Sequence, residues 1–191
     1  LDRQIAGGYT HRTREFQGLY SHYNYADLQR IVFSYIIFDQ ENNVITMNTI
    51  IRPSTKEDLP AIFTLFKEFS IFQKTPEKMH ITLEQLIEDE QYFRCFVAVV
   101  DGQIIGYATY FFAYYSWTGR GTYLDDLYVQ ESHRKYGIGK QLLDKVIHHA
   151  KENNCKSVRW LVSRWNSNAI EFYKKMGAYM DDTEMTAVLP L

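Results

Sequence analysis

Apolar positions from Thr49 onward follow two periods in turn. Leu59, Ile62, Phe63, Phe66 and Phe69 recur every three or four residues, the spacing of one helical face. Residues 94–100 read instead as a strand, ending at the turn Asp101-Gly102. These patterns predict a strand over 49–52 and a helix over 56–69, capped by Ser54 or Thr55 with Pro60 in its first turns. A shorter helix over 83–89 starts at Thr82. Strands over 94–100 and 103–114 form a hairpin turned by Asp101-Gly102. A strand over 122–129 follows, then a helix over 140–153 with Leu142, Leu143, Val146, Ile147 and Ala150 on one face. The chain closes with a strand over 157–162, a helix over 167–176 stopped at Gly177, and a final strand within 183–189. The class is α+β (mixed α/β), with hairpins early and a β-α-β unit in the middle.

Residues 1–46 show little sustained periodicity. The run 31–38 reads as one strand or a short helix. We expect 1–46 to be an N-terminal extension, not native or poorly ordered, and Met47 to be the natural initiator of a domain over 47–191. The rival expectation is an arm that packs on the domain or on a second copy.

The 191 residues suffice for one domain with a real core. A net charge of −2 gives no basic field of the kind that binds nucleic acid. No apolar run approaches the roughly 20 residues that span a bilayer. Cys95 and Cys155 are far apart and match no metal-ligand or redox spacing. We therefore expect cytoplasmic thiols, no metal and no membrane partner.

Candidate chemistry changes the picture at Arg134-Lys135-Tyr136-Gly137-Ile138-Gly139. This R-x-x-G-x-G run lies between a predicted strand and a predicted helix. Glycine lets backbone approach an anion closely. The first helix amides lack internal partners, and the helix dipole and basic side chains add positive charge. The turn is therefore a candidate phosphate site, distinct from G-x-x-x-x-G-K-[ST] and from an early G-x-G-x-x-G, neither of which occurs.

This turn, together with the element order and the run Phe172-Tyr173-Lys174-Lys175-Met176-Gly177-Ala178, resembles the GNAT acetyltransferase superfamily over about residues 49–190. The aromatic run 110–119, the acidic strand Tyr123-Leu124-Asp125-Asp126-Leu127-Tyr128-Val129, and Leu161-Val162 with Trp165-Asn166 are most similar to the spermidine/spermine (diamine) N-acetyltransferases. The resemblance implies a mixed sheet of about six to seven strands flanked by helices. It implies acetyl-CoA as cofactor, a small-molecule amine as acceptor and a homodimer. The diphosphate would lie on Arg134, Lys135, Tyr136, Gly137, Ile138, Gly139 and Lys140. The pantetheine would run beside Leu127, Tyr128 and Val129, flanked by Asn166, Ser167, Asn168 and Ala169.

An alkylammonium has a pKa near ~10.4, so supplying free amine at neutral pH costs roughly 4.6 kcal/mol in water. A base must take that proton. Asp125 and Asp126 alternate on a strand, so we expect them on opposite faces. The resemblance gives Asp125, where the family normally has Glu, the role of base or substrate anchor, directly or through water. Asp126 is the second candidate for the substrate. Tyr173 is expected to give a proton to the departing thiolate, and Trp117, at an aromatic position of the resembled group, to shape the substrate pocket or to pack a dimer. A solvated strand surface and a core tyrosine are the plainer readings of these residues.

Two departures bear on the acceptor. Tyr115 and Gln73 stand where the resembled group carries acids that hold polyamines. Glu68, Glu77, Asp125 and Asp126 remain. The expected reaction is acetyl transfer to a primary amine of a diamine, polyamine or lysine-like amino acid. The alternatives are an acetyl-CoA sensor without turnover and a protein or peptide N-acetyltransferase.

Overall fold

The computed structural model describes residues 31–38, 44–183 and 186–189. Most of the expected extension, residues 1–30 and 39–43, lies outside the described residues. The run 31–38 is a strand, β1 (Ile31–Phe38), antiparallel to β2 (Val44–Pro53). The boundary expected at Met47 therefore falls inside β2.

The remaining elements are α1 (Leu59–Phe72), α2 (Leu83–Glu88), β3 (Arg94–Val100), β4 (Gln103–Tyr115), β5 (Gly119–Val129), α3 (Ile138–Glu152), β6 (Val158–Arg159) and α4 (Ser167–Lys175). The six strands form one sheet in chain order. Every pairing is antiparallel except β5 with β6.

Alternation along β3 builds two cores. Cys95 and Val97 join Leu59, Ile62, Leu65 and Leu86 beneath α1 and α2. Phe96, Ala98 and Val100 join Leu142, Leu143 and Val146 beneath α3. Side chains of a strand point to opposite faces in turn, so one short apolar run serves both layers.

Local chemistry fixes the helix starts. Thr82 and Gln85 form a reciprocal capping box, with bonds of 2.9 and 3.3 Å. α1 begins later than its spacing predicts, because residues 56–58 form a tighter single turn. There Asp58 accepts from the Thr55 amide at 2.8 Å and from the Arg52 guanidinium at 2.5 and 2.9 Å. The guanidinium comes first among the causes that hold the Asp58 carboxyl below its usual range.

Two strand expectations are corrected. β6 spans two residues rather than 157–162, because only Thr122↔Val158 and Tyr123↔Arg159 pair before the strands diverge. Thr183 and residues 186–189 form no strand. Val188 and Leu189 are 81% and 85% exposed, so no packed face holds them in a ladder. No helix among the described residues is long and apolar enough to cross a membrane.

Candidate active site

β5 is the spine of the site. Its ladder with β4 slips by one residue: Tyr110 pairs with Leu124 and Thr109 with Asp126, which leaves Asp125 as the extra, unpaired residue of a bulge. The Asp126 amide donates to the Thr109 hydroxyl at 3.2 Å. Beyond the bulge the Gln130 amide donates to the Ile105 carbonyl at 2.9 Å. Antiparallel bonding alternates, so Tyr128 also faces β4, while the backbone of Leu127 and Val129 faces the other edge. β6 has already diverged there, and among the described residues no strand pairs with that edge.

Arg134 closes the end of this strand. Its Nε donates to the Val129 carbonyl at 2.8 Å, and its guanidinium lies 4.5 Å from the Phe72 ring centroid. The chain then enters α3 through two residues in the left-handed region, Lys135 at φ 69° and Gly137 at φ 76°. Gly137 is the N-cap of α3. Such a turn directs successive amides into one concavity. A Cβ built on Gly139 would meet nothing within 4 Å, so the first turn of α3 borders open space. The Lys140 ammonium pairs with Asp144 at 2.6 Å along the helix. The Tyr136 side chain packs on the α3 core.

A cleft of about 520 Å³ lies on the α1 side of the sheet. Phe66, Phe69, Met79 and Trp165 supply apolar walls, and Asp126 is its one carboxylate. Asp125 is not part of that wall. The bulge at Asp125 shifts the β5 register by one residue, and of the pair it is Asp126 that lines the cleft. Burial, then the charge of Asp125, pushes the Asp126 carboxyl up to about 7. Asp125 is exposed as a residue, yet lost hydration raises its carboxyl as well.

Tyr173 comes from α4 on the opposite side of the diverging strands. It is 8% exposed, and its ring lies 4.8 Å from that of Trp160. Burial first, and the charge of Asp126 second, push its phenol up to about 12, so it stays protonated at neutral pH. Tyr173 and Asp126 thus lie within electrostatic reach of each other across the strand edge. Asn166 caps α4, accepting from the Ala169 amide at 3.1 Å. Ser167, Asn168 and Ala169 form the first turn of that helix.

Other expected residues stand elsewhere. The Tyr128 ring is buried against Phe69 at 5.4 Å, and its hydroxyl donates to Glu68 at 3.3 Å. Its backbone is turned to β4 and its ring to the α1 core, so the open edge is left to Leu127 and Val129. Gln130 also donates to Glu68 at 3.0 Å, so that carboxylate ties α1 to the end of β5 instead of lining the cleft. Trp117 is 97% exposed on the β4–β5 turn and is not among the residues that line the cleft. Reasoning from sequence did not pick out Phe66, Phe69, Ser163 and Lys78 as cleft residues. Phe66 and Phe69 look like ordinary core positions, and the cleft exists only once α1 and the 160s loop meet.

The family model for the acetyltransferase (GNAT) family matches residues 59–178. The chain belongs to the GNAT acetyltransferase family. GNAT members are N-acetyltransferases that depend on acetyl-CoA. The chain is 32% identical over 143 residues to a thialysine N-epsilon-acetyltransferase of Sus scrofa, covering 69% of this chain and 84% of that one. It is 32% identical over 139 residues to the spermidine/spermine N(1)-acetyltransferase-like protein 1 of Homo sapiens, covering 67% of this chain and 20% of the relative. Among solved structures, an aminoglycoside N-acetyltransferase in complex with CoA shares the GNAT fold, with a TM-score of 0.61 and 19% identity over 76% of this chain and 95% of that one.

The residues present fit acetyl-CoA. The open space at Gly139 and the left-handed turn at Lys135 and Gly137 suit a diphosphate, and the backbone edge at Leu127 suits an extended chain.

Proposed function

We propose that the chain acetylates a primary aliphatic amine of a small cationic acceptor, with Asp126 as the base and Tyr173 as the acid. The observation that carries this reading is the Asp126 carboxyl, which titrates near neutrality on the wall of the cleft. A general base works best with a pKa near the operating pH. The named activities of the thialysine and spermidine/spermine relatives support a diamine, polyamine or lysine-like amino acid as acceptor.

Acetyl-CoA, when bound, supplies an activated thioester. The amides of Ile138, Gly139 and Lys140 would hold its diphosphate, with the turn at Lys135 and Gly137 completing the concavity. The backbone of Leu127 would take the pantetheine as an added strand, with residues 166–169 on its other side. Asp126 would draw the acceptor's ammonium into the cleft and accept its proton at a carboxylate oxygen. Tyr173 holds a proton at its phenol oxygen and is the donor available to a departing thiolate. Asp125, at the bulge, raises the proton affinity of Asp126 through its charge.

The reading extends to a cytoplasmic homodimer. Two free cysteines support the compartment. The exposed aromatic tip of the β4–β5 hairpin, with Trp117 97% and Tyr114 81% exposed, supports a contact between copies. The coarse test is an amine panel with acetyl-CoA, read by product mass. Acetylated aliphatic amines are expected. Strict preference for arylamines, or cofactor binding without any product, would sink the reading.

A further inference from the structure

The charges around the cleft do not suit a long polycation. Asp126 is the one carboxylate on its wall. Glu68 is engaged by Tyr128 and Gln130, and Glu77 lies exposed outside the wall. Gln73 lines the cleft and accepts from the Ser163 hydroxyl at 3.2 Å, so a neutral pair occupies that part of the wall.

Cations are present instead. Lys78 ends the single-turn helix Pro76–Lys78 and lines the same cleft. Among the described residues it has no ion pair. A second ammonium, on Lys74, stands 5.3 Å from the ring centroid of Trp165, another wall residue. A spermidine-like chain needs a carboxylate for each distal ammonium. Here its distal ammonium would meet Lys78 and Lys74. Like charges brought together exclude a partner as firmly as opposite charges select one.

We propose that the acceptor carries a carboxylate beyond its reacting amine, and that Lys78 is the residue that selects it. This rests on the acetyl-transfer reading above. The acceptor class is then a zwitterionic α,ω-diamino acid, with its side-chain ammonium at Asp126 and its carboxylate at Lys78. Lys78 determines specificity and takes no part in the proton transfers.

Matched pairs that differ only in the carboxylate test this: L-lysine against cadaverine, and L-ornithine against putrescine. Steady-state constants are measured for the native chain, Lys78→Glu and Lys78→Gln, with thermal melts as a check on folding. The native chain is expected to favour the carboxylate member of each pair by about tenfold or more in kcat/KM. Lys78→Glu should cut or invert that ratio through KM, with Lys78→Gln between. Equal use of both members, a preference for the diamine, or an unmoved ratio in Lys78→Glu would overturn this proposal alone. No acetylation of any member would overturn the acetyl-transfer reading and this proposal with it.

Discussion

The amide of Asp126 donates to the hydroxyl of Thr109 at 3.2 Å, where β4 and β5 slip by one residue. That bond fixes the backbone on which the cleft's carboxyl stands. The carboxyl is held up to about 7, by burial first and by Asp125 second. Below that pH it holds a proton and cannot accept another. The profile of kcat/KM for an aliphatic amine should therefore rise through about pH 7, as a property of the coupled pair. Asp126→Asn should remove that limb. The sign for stability is the opposite. The folded carboxyl binds its proton more tightly than an unfolded one, so this group's contribution to stability falls as pH rises from about 4 to 7. Melting curves of Asp126→Asn across that range should lack this fall.

Tyr173→Phe removes the phenol proton and keeps the ring that packs on Trp160 at 4.8 Å. A positioned proton donor contributes about 10²–10⁴ in rate. We expect kcat to fall by about 10²-fold, with cofactor affinity and melting temperature close to native. Direct binding and pre-steady-state rates check both halves. An equal loss of affinity and rate would make Tyr173 a packing residue.

Gly139 offers a test in which stability and binding move apart. A Cβ there would border open space. An acidic group in the first turn of a helix is favourable to that helix. Gly139→Asp should therefore melt no lower than native. It should also weaken binding of CoA by about tenfold or more, through repulsion of the diphosphate. Isothermal titration with CoA and a thermal melt of the same sample measure the two effects.

Much of the fold was legible from spacing. The helical repeat from Leu59 to Phe69 and the face from Leu142 to Ala150 each describe one buried stripe, and both became helices. The glycine turn into α3 was legible because Gly137 has a positive φ and caps that helix, a conformation that glycine adopts at no steric cost. The bulge was not legible. Asp125-Asp126 reads as two alternating strand residues, and the slip is set by the partner strand β4. Sequence reasoning accordingly favoured Asp125, whereas the cleft is lined by Asp126. The divergence of β5 and β6 was hidden for the same reason, since two strands decide it together. An aromatic position on a turn, such as Trp117, reads equally as a pocket wall or a contact between copies, and only the fold shows it 97% exposed and outside the cleft lining.

The central claim is that the carboxyl at the cleft wall takes the proton. Single-turnover acetyl transfer to one aliphatic amine at pH 8, for Asp126→Asn and Asp125→Asn with saturating acetyl-CoA, tests it most directly. The account predicts a loss of about 10²-fold or more in Asp126→Asn, and less than about tenfold in Asp125→Asn. The reverse order, or two near-native rates, would contradict it.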